Sequence, residues 1–232
     1  MNQQAVAANA PTTERRSALR IRAFIDYWNF QLSLNEREAA AQGVNEFRFT
    51  IDWKKLGPWL CQKACGVVGT DPKSSSFDGV IIYASYNPRT DEGRTFHGWA
   101  KNWLDRQAGI SVVCLERKPR ALPKCPICHR QIEFCPYEGC KKRIVSTVEK
   151  GVDTFITTDM IRLAWEGAYD LAVLASSDSD LVPAVEFLNQ KAQKIIQAGF
   201  PPLGVDLATA CWASFDVFPD RDQIRRSSPA KP

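Results

Sequence analysis

Residues 169–199, YDLAVLASSDSDLVPAVEFLNQKAQKIIQAG, decide the fold. The apolar run from Leu171 to Ala175 predicts a strand over 170–176 that ends in the polar loop SSDSD. DLVPAVEFLNQ then spaces its apolar residues at a helical period and tolerates Pro183 in the first turn. KIIQAGF returns to an unbroken apolar run and predicts a second strand. Strand, helix and strand in so short a span form a crossover unit, and crossover units build parallel α/β sheets.

The same alternation runs through the rest of the chain. Strands are predicted at LRIRAFID (19–26), FDGVIIYAS (77–85) and ISVVCLE (110–116). Helices are predicted at 32–42, ending near Gly43, at 53–67, at 95–109 with Gly109 as C-cap, and at 152–168. LATACWASFDVF (207–218) is predicted as a closing helix. The expected organisation is one α/β domain over 18–220, with an insertion at 117–148 and mobile tails at 1–17 and 225–232. A hydrophobic fraction of 44% and a charged fraction of 24% set the chain apart from disordered sequences. No apolar run is long enough to span a bilayer, and the first twenty residues lack the apolar core of a signal peptide. A cytoplasmic location without membrane contact is therefore expected.

In open parallel sheets, functional groups collect at the carboxyl ends of the strands. That rule points to Asp26, Ser85, Glu116 and the segment from Ser176 to Asp180. Asp178 and Asp180 lie two apart and share a side of an extended loop, while Asp180 can also cap the helix that begins at Leu181. Asp153 and Asp159 fall in the helix before that strand. Six residues turn a helix by about 240°, so the two cannot face one ion, and Asp153 must sit at the helix entry. Asp159 ranks behind it. Clustered carboxylates stay ionised together only beside a cation, and an all-oxygen set favours Mg²⁺ or Mn²⁺. A haloacid-dehalogenase-like site would need a second Asp two residues after Asp26, where Trp28 stands, and a Toprim-like site would need Glu in place of Asp26.

Four of the eight cysteines, Cys125, Cys128, Cys135 and Cys140, have the spacing C-x2-C-x6-C-x4-C. Four thiolates suit tetrahedral Zn²⁺, and a closed site of this kind is structural. Such an ion is expected to order a loop too polar to build its own core. Cys61, Cys65, Cys114 and Cys211 lie on apolar faces and read as core. Between Arg117 and Lys150, nine Lys or Arg stand against three Glu. Arg117, Lys118, Arg120, Lys124, Arg130, Lys141, Lys142 and Arg143 therefore form a candidate surface for a nucleic-acid backbone, with Phe134 and Tyr137 available to stack on unpaired bases.

FIDYWNF (24–30), KGVDTFITTDMIRLA (150–164) and the opening stretch resemble, in order, the motifs of the NYN domain family, a branch of the PIN-like nucleases. SSDSD departs from that family's usual Ser-Gly-Asp-x-Asp by placing Ser177 where glycine is common. The resemblance implies a Rossmann-like three-layer α/β/α domain and metal-dependent hydrolysis of RNA phosphodiester bonds, an endoribonuclease. It also implies that Asp26, Asp153, Asp178 and Asp180 hold Mg²⁺ or Mn²⁺, with Asp159 and Asn29 completing the site. A non-catalytic RNA-binding or assembly module of the same fold is the alternative, as is a nuclease acting on DNA flaps or single strands.

Overall fold

The computed structural model describes residues 18–144 and 147–227, so the tail expected at 1–17 and the last five residues of the tail expected at 225–232 lie outside the described residues. In chain order the main elements are β1 (Leu19–Asp26), α1 (Tyr27–Gln42), α2 (Trp53–Val68), β2 (Ser75–Tyr86), α3 (Asp91–Asn102) and β3 (Ile110–Glu116). A short pair follows, β4 (Lys118–Pro119) and β5 (Thr147–Val148). The remainder is α4 (Val152–Trp165), β6 (Leu171–Ala175), α5 (Val182–Gln190), β7 (Lys194–Gly199), α6 (Val205–Ala210) and β8 (Ala213–Asp216).

Six strands form one sheet in the order β3-β2-β1-β6-β7-β8, every neighbouring pair parallel. All five residues of β6 are buried, as a strand covered on both faces requires. One apolar layer joins Ile25 and Val173 to Leu56, Leu60 and Phe30, from α2 and α1. The other joins Phe24 and Leu174 to Ile156, Met160 and Val185, from α4 and α5. The sheet thus lies between two helical layers, as the predicted α/β/α architecture requires. The order reverses between β1 and β6, and the carboxyl ends at such a switch point are where open α/β sheets bind ligands.

Three local predictions need correction. The predicted helix at 207–218 is α6 followed by β8, because Trp212 N–H donates to Ile195 O at 2.9 Å and draws the chain onto the outer edge of β7. The predicted helix at 95–109 begins at Asp91, where Thr90 caps it through Gly93 N–H, and ends at Asn102. Gly109 is left-handed, but it closes the turn before β3 and is not the cap of α3. At the C-terminus, Arg225 pairs with Glu38 and Arg226 N–H donates to Thr50 O, so the folded unit extends beyond 220. No helix among the described residues is long and apolar enough to cross a membrane.

Candidate metal centre

Asp26 is the last residue of β1 and the N-cap of α1, where its Oδ1 accepts Asn29 N–H at 3.2 Å. Only 5% of its surface is exposed. Asp178 follows β6 across the switch point and caps a short turn at Ser179–Leu181, accepting Asp180 N–H at 2.9 Å. Asp180 was expected to cap the helix beginning at Leu181, but α5 has Leu181 at its N-cap position and no side-chain cap bond. Asp153 is the second residue of α4, at the helix entry that the periodicity required. Gly151 caps that helix at φ +94°, a backbone conformation that a side chain would strain.

Ligand atoms of Asp26, Asp153 and Asp178 lie within 4.8 Å of one another. Three elements distant in sequence thus bring carboxylates to one point. Burial first, and then the charges of Glu149, Asp153 and Asp178, push the Asp26 carboxyl up to about 7, against the Asn29 N–H that favours ionisation. Burial also raises Asp153, followed by the fields of Asp178, Glu149 and Asp180. A divalent cation would relieve all of this repulsion, so the donor set fits a hard ion.

The other expected residues take separate places. Asp180 is exposed and acts on Asp153 through its field, outside the converging three. Asp159 accepts from Tyr83 Oη at 2.9 Å and pairs with Arg162 at 3.1 Å, so its carboxylate is engaged on the helix flank. Asn29 accepts Ser177 N–H through Oδ1 at 2.8 Å, while the cap of α1 is Asp26. Ser177 has no positive φ, so serine fits where the resemblance expects glycine. Gly204 supplies the close approach instead, since a Cβ there would lie 2.7 Å from Ser177 Cα.

Glu149 joins this group and was not among the predicted residues. It accepts the Ser85 hydroxyl at the end of β2 and pairs with Arg117 at 3.6 Å. Arg117 also donates to Ser85 Oγ at 2.9 Å and stands over the Trp28 ring. The available signal was position, because Glu149 lies two residues before the Gly151 cap and Ser85 ends a strand.

The insertion leaves and returns through the antiparallel β4–β5 pair. Inside it, single bridges Lys124↔Gln131 and Phe134↔Arg143 frame the two cysteine pairs. In each pair the residue after the second cysteine, His129 or Lys141, is left-handed. Backbone N–H groups of Cys128 and Ile127 hold the Cys125 thiol below its ordinary range. Among the described residues, the four thiols do not converge as the three carboxylates do. Of the eight basic residues, seven are exposed and Arg117 is partly buried at the acidic group. Phe134 and Tyr137 are 56% and 74% exposed.

No curated protein matches the chain. Its backbone is similar to the crystal structure of a protein of unknown function from Vibrio parahaemolyticus, with a TM-score of 0.53 and 18% identity, covering 92% of this chain and all of the other. That likeness concerns the fold alone. The NYN domain family model matches residues 20–213, a span that contains Asp26, Asp153 and Asp178. The chain therefore belongs to the NYN domain family of PIN-like nucleases.

Proposed function

We propose that the protein is a Mg²⁺- or Mn²⁺-dependent endoribonuclease centred on Asp26, Asp153 and Asp178. The convergence of these three carboxylates at the switch point carries the reading. A bound cation would activate water and offset charge on the phosphate. Asp26, Asp153 and Asp178 would hold it, with Asp180 adding negative field at the rim. Glu149 keeps Ser85 and Arg117 in place, leaving a guanidinium beside the site to receive a phosphate oxygen. Asn29 fixes the loop that presents Asp178.

The insertion serves as the strand guide in this proposal. Zn²⁺ would order it by drawing Cys125, Cys128, Cys135 and Cys140 together, a role supported by their spacing and by the matching turns after each pair. Lys118, Arg120, Lys124, Arg130, Lys141, Lys142 and Arg143 then contact the backbone of a cytoplasmic RNA.

The test incubates purified protein with labelled RNA and single-stranded DNA, in Mn²⁺, in Mg²⁺ and in chelator, beside Asp178→Asn. Metal-dependent RNA cleavage, lost in the variant, is expected. Cleavage that survives the substitution overturns the site, cleavage of DNA alone overturns the substrate, and binding without cleavage favours the non-catalytic module.

A further inference from the structure

A cleft of about 890 Å³ opens between the N-terminal ends of α1, α2 and α3. Tyr27, Trp53, Phe96, Trp99 and Trp103 line it. Tyr27 and Trp53 stack at 4.9 Å and 18°, and Trp99 and Trp103 at 5.9 Å and 20°. The second stack is not sealed into the core, since Trp103 is 39% exposed. Lys54 Nζ stands 5.5 Å over its ring.

Three cations, Arg48, Lys54 and Arg226, and three acids, Asp52, Asp91 and Glu92, border the lining, and two of the acids are paired with cations outside it. Asp91 pairs with Arg94 and Asp52 with Lys55. Arg48, Lys54 and Arg226 then face Glu92 as the lining charges without an ion pair among the described residues. Flat aromatic faces bordered by cations match a nucleobase joined to a phosphate. An apolar ligand would have no use for the cations.

The cleft and the acidic centre are close in sequence at two points. Tyr27 follows Asp26 directly, and β2, which ends beside Ser85, leads within a few residues to Asp91 on the lining. α1 and α3 each begin within five residues of the end of β1 or β2, so a strand laid along that edge of the sheet runs from the carboxylates towards the cleft. A base inside a duplex is already stacked and must flip out to enter, whereas an unpaired base is not so held.

We propose that this cleft takes an unpaired nucleobase of the strand being cleaved, and so selects single-stranded substrate. The proposal rests on the nuclease reading. It is tested by anisotropy in an Asp178→Asn background with two probes, a short single-stranded RNA and a duplex of the same length. Trp103→Ala is expected to weaken the single-stranded probe about tenfold, with the duplex unchanged and Trp103→Phe near the parent. Unchanged affinity for the single strand, or equal losses on both probes, overturns the cleft. If the parent still cleaves RNA in that event, the nuclease reading stands. Failure of the Asp178→Asn protein to bind either probe, with no cleavage by the parent, overturns both.

Discussion

Asn29 Oδ1 accepts the backbone N–H of Ser177 at 2.8 Å across a sequence separation of 148 residues. The bond joins the first turn of α1, capped by Asp26, to the loop that carries Asp178, and so fixes the spacing of two carboxylates. Asn29→Ala leaves the Ser177 N–H without this partner and should cost about 1–3 kcal/mol of stability. Mn²⁺ affinity should fall about 10–100-fold, the range for groups that orient metal ligands. Thermal melts and titration calorimetry read the two effects, and an unchanged Mn²⁺ affinity refutes the positioning role.

The raised Asp26 carboxyl sets the pH response of the metal-free protein. Its ordinary value is 3.8, and in the fold it is pushed up to about 7. Between these values the folded chain holds a proton that the unfolded chain has released, so stability falls as pH rises, by at most about 1.4 kcal/mol per pH unit from this group. In chelator, the denaturation midpoint should decline from about pH 4 to about pH 7. Asp26→Asn should flatten that decline, and Mn²⁺ should oppose it in the parent protein. A midpoint that climbs over this window would contradict the burial of Asp26 as an acid.

Asp26 and Asp178 were legible because each ends an apolar run, and strand ends in a parallel sheet are where ligands bind. Asp153 was legible from helix periodicity, which excluded its sharing one ion with Asp159. Glu149 was hidden because it ends a long non-periodic insertion, where neither helical nor strand spacing marks a face. β8 was hidden for another reason. Its four residues carry little pattern of their own, and the open edge of β7 recruits them. The aromatic cleft assembles residues from α1, α2, α3 and the intervening loops, so no local window of sequence contained it.

Asp159 provides a contrast within one helix. Its carboxylate is occupied by Tyr83 and Arg162, and asparagine would still accept the Tyr83 hydroxyl. The lost pair with Arg162, whose side chain is 51% exposed, should cost no more than about 1 kcal/mol. Asp159→Asn should therefore cleave within about twofold of the parent, whereas Asp153→Asn should lose about 100-fold or more, beyond the range for outer partners of a metal. Equal losses in both variants would return Asp159 to the reacting centre.

On the proposed reading, the insertion serves binding and the carboxylates serve chemistry. It is tied at its base by the β4–β5 pair, which Arg117 and Glu149 flank at the acidic group, while the cysteines lie in the loop beyond that pair. Cys135→Ser should release zinc and weaken RNA binding while leaving Mn²⁺ affinity intact. Lys141 and Lys142 are exposed, and changing both to Ala should reduce the salt slope of single-strand binding by about 1.4, roughly 0.7 for each phosphate left without its lysine. Metal analysis of untreated protein and filter binding across a salt series measure these quantities. Zinc-free protein that binds RNA normally would refute the metal-held guide, and an unchanged salt slope would move the phosphate-binding role to another surface.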